Sequence, residues 1–280
     1  MTLSQTAQYC ESCEQELTRY SYLEARSFLG VVSRTISAAE ESRAREGYAV
    51  QEYLVNEGAS GERRIGPTGF DLTYHRNTTI FVANTGFVRG LTGRGPTGFE
   101  ICTTCGRWRD PHQEGWEQRH RKNCSGTVRP FHLAYRLETD VLEIDIPGMP
   151  VPEVPDGLVK FQTTLRNALV LGANLALQNE ESEIGGFERE VPRGDLLQPQ
   201  IVLYDDVPGG AGYVESLSRR LPQAAAAALE RLEQCTCLDS CYRCLRSYYN
   251  QMEHKLLDKR LVIETLRNMA ESAASASVSR

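Results

Sequence analysis

Four cysteines fall within ten residues as Cys235-x-Cys237-x3-Cys241-x2-Cys244. No other feature constrains the chain so strongly, because thiols this close can surround one tetrahedral ion and thereby fix the path of the loop that carries them. Zinc favours such soft ligands, with sulfur about 2.3 Å from the metal. A closed set of four thiolates leaves no open position for water or substrate, so the expected role is to fold the loop rather than to react. The set carries a formal charge of −2 with zinc bound, which Arg243 and Arg246 could offset. A redox pair is the competing chemistry.

The compartment bears on that choice. Met1 to Gln8 shows no basic region followed by an apolar core, so the chain reads as cytoplasmic, with no membrane partner. Reducing conditions there disfavour disulfides and favour metal ligation by clustered thiols.

A second group begins at Cys102-x2-Cys105, with Gly106 next, and resembles a zinc knuckle. Its downstream half is His120-x3-Cys124, giving an acceptable Cys3His set and a second zinc. His112 competes with His120, and Cys10-x2-Cys13 offers another pair for all-thiolate ligation. The same segment holds Arg107, Arg109, Arg119, Arg121 and Lys122 with Trp108 and Trp116 between them. Cations neutralise phosphates and indoles can stack on unpaired bases, so Arg107, Trp108, Arg109, Arg119, Arg121 and Lys122 form the candidate nucleic-acid surface. The bland reading is a solvated ribbon with the tryptophans in a small core. Net charge is −6, so DNA contact must come from such a restricted patch or from a partner chain.

The rest of the chain reads as α+β: a β-rich N-terminal part with a zinc-ribbon-like insertion, then a mixed α/β zinc-binding domain. The expected divisions are 1–147, 148–269 and a disordered tail at 270–280. Leu17 to Arg45 has helical spacing. Tyr48–Val55, Phe70–Tyr74 and Thr79–Ala83 read as strands, as do 131–137 and 142–146. Residues 147–155 are a Pro-rich break. Leu158 to Gln178 reads as a helix capped by Asp156, Ile201–Tyr204 as a strand, and Gly209–Gly212 as a turn into a helix from Tyr213. A long helix is expected from about Leu245 to Met269, with His254 and Asp258 paired one turn apart on it.

Leu203-Tyr-Asp-Asp-Val-Pro-Gly-Gly-Ala-Gly-Tyr213, Cys235-Thr-Cys237, and Ser240-Cys-Tyr-Arg-Cys-Leu-Arg-Ser-Tyr-Tyr-Asn-Gln251 with His254 and Leu257-Asp258 together resemble the MrfA-like zinc-binding (MZB) domain. That domain lies at the C-terminus of a group of superfamily 2 DNA helicases and in helicase-associated proteins such as the DrmB subunit of the DISARM anti-phage system. The resemblance implies that Cys235, Cys237, Cys241 and Cys244 hold zinc, and that a superfamily 2 helicase is the partner. The chain departs from the helicases in having no Gly-x-x-x-x-Gly-Lys-Ser/Thr segment and no Walker B-like box, so any ATPase activity is expected in another polypeptide.

The leading expectation is therefore a non-enzymatic, zinc-binding, helicase-associated subunit that meets DNA through the complex, in anti-phage defence or DNA repair. One alternative is a metal-dependent nuclease using Asp205 and Asp206 with Glu180, Glu181 and Glu183, although no lysine follows these acids in a nuclease-like arrangement. Another is a structural assembly protein without DNA contact. Gly209–Gly212, between a strand and a helix, could cradle phosphate but more simply is a turn.

Overall fold

The computed structural model describes residues 21–24, 48–55, 61–65, 70–87, 98–109, 114–146, 153–180, 182–193 and 196–277. Cys10, Cys13, His112 and most of the helix expected over 17–45 lie outside these residues. The described residues divide into two compact units, 1–52 with 82–135 and 53–81 with 136–280. Both mix strands and helices, an α+β chain as the patterning predicts.

In the first unit, β1 (Tyr22–Glu24) pairs in parallel with residues 132–134 of β6 (Val128–Asp145). This segment falls inside the expected helix and is instead a strand: Tyr22, Leu23 and Glu24 take an edge position whose hydrogen bonds come from a strand about 110 residues away, which local spacing cannot register. β5 (Phe99–Cys102) runs antiparallel to residues 128–131 of β6, and α1 (Trp116–Asn123) follows. β2 (Tyr48–Val55) has the bounds its β-branched and aromatic texture indicates.

In the second unit, β3 (Glu62–Ile65) pairs with the start of β4 (Asp71–Phe87). β4 is one continuous strand where the sequence suggested two. The sheet continues in the order β4-β6-β8-β7, with β7 (Ile184–Arg193) and β8 (Leu196–Asp205) forming a hairpin. Period-two alternation sends Leu72, Leu142, Ile144, Ile201 and Leu203 to one face. Three helices share that core: α2 (Gly157–Leu177), α3 (Tyr213–Gln234) and α4 (Ile263–Ser277). Phe161, Leu165 and Leu169 of α2 are fully buried, each contributing roughly 2 kcal/mol of transfer free energy. Gly172 lets α2 approach α3 closely, since a Cβ there would lie 2.1 Å from the Ala224 carbonyl oxygen. Pro222 cannot donate an amide, and α3 kinks at Arg220, whose φ is −123°.

Three local expectations change. Asp156 adopts a left-handed φ of 57° and makes no side-chain cap on α2. The last helix starts at Ile263, not near Leu245, because 245–262 fold as turns and two short 3₁₀ segments held by Ser247, Asn250 and Asp258 side chains. That helix also runs to Ser277, into the segment expected to be a disordered tail.

Candidate metal centres

The end of α3 delivers the first thiol of the C-terminal group. Cys235 is the C-cap residue in an extended conformation, and the buried Lys259 ammonium donates to the carbonyls of Leu232 and Cys235. A cation at a helix C-terminus offsets the carbonyl dipoles and fixes where the chain leaves the helix. The Lys259 amide reaches the Asp239 carbonyl at 2.9 Å, tying down the middle of the loop. A tight turn then brings the last pair together: the amides of Cys244 and Arg246 both donate to the Cys241 carbonyl at 3.0 Å, and the Cys241 amide points at Cys244 Sγ at 3.3 Å.

The four sulfurs lie 3.4 Å (Cys235–Cys241), 3.5 Å (Cys235–Cys237), 3.6 Å (Cys237–Cys244) and 3.8 Å (Cys241–Cys244) apart. Ligands about 2.3 Å from a tetrahedral zinc are separated by about 3.8 Å, so the cage has the size the ion requires. The Cys237 amide pulls the Cys235 thiol down to about 6, while burial pushes Cys237 up to about 12. Four thiols in one small volume cannot all ionise against each other; a divalent cation removes that conflict.

The segment after the cage is stitched to α2. Asn250 accepts the Ser247 amide at 2.8 Å and donates to the Leu245 carbonyl and to Asn167 Oδ1, both at 2.8 Å. Asn167 donates to Glu253 at 2.9 Å, and Arg166 pairs with Glu188 at 2.9 Å and also with Glu253. His254 does not pair with Asp258: its Nε2 lies 3.0 Å from Asn250 Oδ1, and Asp258 accepts from Arg260. Arg166, Asn167 and Lys259 went unrecognised in the sequence, and Asn250 stood there only as a position of the MZB-like motif without a role; Arg166 and Asn167, charged and polar within an apolar helix, were a readable signal.

The second group is assembled from β5 and α1. Cys102 ends β5, and a turn through Gly106 (φ 70°) returns its amide to the Cys102 carbonyl at 2.9 Å. α1 presents His120 on its buried side, stacked on Trp116 with ring centroids 4.4 Å apart, and ends at Cys124. Cys102 and Cys124 sulfurs are 3.8 Å apart, and Cys105 Sγ lies 3.3 Å from His120 Nε2. All four ligand atoms lie within 4.8 Å of one another, as in the C-terminal group. The Cys105 amide pulls the Cys102 thiol down to about 6. A Cβ on Gly126 would stand 2.6 Å from Cys102 Sγ, so that position needs glycine. Each group could thus hold one zinc.

The basic patch is less uniform than its sequence suggests. Arg109 pairs with Glu100 at 3.2 Å and Glu117 at 2.6 Å, Arg119 donates to the Glu114 carbonyl, and Trp116 is buried. Arg107, Arg121 and Lys122 are exposed, and Trp108 is partly so, its ring edge against Phe99.

The glycine loop is not a phosphate cradle. Asp205, fully buried at the end of β8, accepts the amides of Ala211, Gly212, Tyr213 and Val214 at 2.6–3.2 Å. Burial pushes its carboxyl up and those amides pull it back. The N-terminal amides of α3 are thereby taken, and so is Asp205, one of the acids of the nuclease alternative.

A family model, the MrfA Zn-binding domain (MZB), matches residues 165–245, a span that includes all four cysteines of the C-terminal cage. The protein MJ1572.1 of Methanocaldococcus jannaschii is 30% identical over 92 residues, which is 32% of this chain and 82% of that protein. The chain belongs to the MZB family. Druantia protein DruE of Escherichia coli (strain UMEA 4076-1) is 29% identical over 203 residues, 64% of this chain but only 11% of DruE. A crystal structure of the DUF1998 helicase MrfA bound to DNA aligns with 18% identity and a TM-score of 0.49, over 80% of this chain and 25% of that one. The chain therefore spans a small part of the larger proteins it resembles. MZB is a zinc-binding domain, and zinc is the cofactor that both thiol-rich groups fit. Among the described residues, no helix is long and apolar enough to cross a membrane.

Proposed function

We propose that the chain is a non-enzymatic, zinc-stabilised accessory module that works in the cytoplasm with a superfamily 2 DNA helicase or translocase, in anti-phage defence or DNA repair. The observation that carries this reading is the coincidence of the MZB match at 165–245 with a closed cage of four sulfurs. In this reading Cys235, Cys237, Cys241 and Cys244 hold one zinc, and Cys102, Cys105, His120 and Cys124 hold a second. Residues 148–269 form the zinc-binding module, built against the β6 strand that precedes them. Zinc supplies crosslinking of each loop, and the residues around it supply orientation: Lys259 fixes the exit of α3, and Asn250 with Asn167 fixes the segment beyond Cys244. The burial of Asp205 under four amides favours this over a nuclease.

The defence setting rests on the sequence resemblance to helicase-associated proteins of anti-phage systems, and the MZB description, which names MrfA, supports a helicase partner. DNA contact through Arg107, Trp108, Arg109, Arg119, Arg121 and Lys122 belongs to the complex, with Arg107, Arg121 and Lys122 the cations most available to phosphate. Affinity purification from native cells, followed by identification of bound proteins, tests the reading. A helicase should be recovered, and the purified chain should neither hydrolyse ATP nor cut DNA with magnesium. Magnesium-dependent cleavage lost in Asp205→Ala would overturn it.

A further inference from the structure

The zinc loop carries a cationic, aromatic surface for which the readings above name only a charge-balancing role, for Arg243 and Arg246. Two adjoining hollows, of about 430 and 90 Å3, share Arg231 and Arg243 on their walls. The larger adds Gln234, Thr236 and the cage residue Cys235; the smaller adds Tyr242, Arg246, Asn174 and the cage residue Cys244. No acidic residue lines either hollow, in a chain with 37 acids against 31 bases. Among the described residues, no carboxylate pairs with Arg231, Arg243 or Arg246. Arg231 reaches only the Arg243 carbonyl, at 3.5 Å, and Arg246 Nε donates to Ser240 Oγ at 3.0 Å. Elsewhere in the same unit arginines find acids readily, as Arg166, Arg189, Arg260 and Arg267 do.

The ordinary explanation is that these arginines balance the negative thiolate cage. Lys259 already places a buried ammonium on the Cys235 carbonyl at the edge of that cage. Arg231 and Arg243 are exposed and Arg246 is half-buried, and Tyr242 shares the smaller hollow with all three: it is 66% exposed, held edge-on against His254 with centroids 5.3 Å apart, while Tyr248 and Tyr249, further along the chain, are 76% and 67% exposed. Unpaired guanidinium groups suit phosphate, and exposed rings offer stacking faces for unpaired bases. The hollows are open and polar, which suits an extended backbone better than an enclosed apolar ligand.

We infer that this face binds single-stranded nucleic acid, with Arg231, Arg243 and Arg246 on phosphates and Tyr242 stacked on a base. The inference rests on the reading that the chain works on nucleic acid, and adds a contact surface separate from the 107–122 segment.

The test uses the zinc-loaded chain of residues 1–280 and a fluorescent single-stranded 20-mer, read by anisotropy over a range of salt. Zinc content is measured alongside for every variant. Arg231→Gln with Arg243→Gln should weaken binding about tenfold and flatten the slope of log affinity against log salt by about 1.4, roughly 0.7 per lost phosphate contact on a single strand. Tyr242→Ala should weaken single-strand binding more than duplex binding, with zinc content unchanged. Unchanged strand affinity in the double variant overturns the inference, including the case where that variant instead fails to hold a protein partner. Loss of zinc in the double variant also overturns it, because the arginines would then be serving the cage. Should Arg119→Gln, Arg121→Gln and Lys122→Gln together abolish binding while the double variant does not, this inference falls and the proposed function stands. A wild-type chain that binds no strand at low salt overturns the inference and leaves the proposed function standing, since DNA contact there belongs to the complex.

Discussion

The carboxylate of Asp205, at the end of β8, accepts the amide of Val214 at 2.9 Å and so closes the N-terminus of α3 from outside the helix. The helix has Gly212 at its own N-cap, with φ 81° and no side-chain cap. A cap imported from the sheet fixes both the helix start and its docking, which a local serine or aspartate would not do. Gly210 completes the loop: a Cβ there would stand 2.8 Å from Asp140 Cγ. Removing the carboxylate in Asp205→Ala leaves buried helix amides without acceptors, at a cost of roughly 3 kcal/mol. Urea unfolding followed by far-ultraviolet circular dichroism should show that loss, and a stability unchanged within error would refute the capping role.

Gly172 tests how closely α2 and α3 pack. Alanine is the better helix former by about 1 kcal/mol. At this site its Cβ would meet the Ala224 carbonyl oxygen at 2.1 Å, a backbone atom that cannot swing away. Forcing the helices apart costs about 1–3 kcal/mol, so Gly172→Ala should destabilise despite the gain in propensity. A rise in thermal midpoint would show that the interface relaxes freely.

Tyr74 gives an alkaline signature. Its hydroxyl donates to Asp140 Oδ2 at 2.8 Å, and burial, then that bond to a carboxylate, raises its pKa well above the usual phenol value. A raised pKa in the folded state means that its contribution is fully present below about pH 10, the unfolded value, and is lost as pH rises through the folded value. The stability difference between wild type and Tyr74→Phe should therefore stay flat from pH 8 to 10 and shrink above it. Denaturation midpoints that fall in parallel for both proteins across that range would contradict this.

Metal stoichiometry separates the two cages. Atomic absorption should find close to two zinc ions per chain, about one in Cys105→Ser, and about one in Cys241→Ser. Structural zinc contributes an apparent 10–16 kcal/mol at neutral pH, so each single loss should also loosen the surrounding loop to proteolysis. One zinc in the wild type, unaffected by Cys105→Ser, would leave the 102–124 group without a metal.

Sequence alone determined the elements whose signal is local. The helical spacing of Phe161, Leu165 and Leu169 delimited α2 to within a residue or two, because one buried stripe every 3.6 residues suffices to define it. The β-branched and aromatic texture of Tyr48–Val55 gave β2, and the spacing of the thiols marked two groups whose ligand atoms the fold does gather. Tertiary structure decided what depends on partners far along the chain. Tyr22–Glu24 became a strand because β6 offered it an edge. The segment after Cys244 became a stitched loop because Asn167 and Glu253 capture its polar side chains. Asp205 became a helix cap because β8 ends beneath the amides of α3. A buried donor or acceptor must be satisfied wherever the fold leaves it, and only the assembled packing decides which distant residue does so.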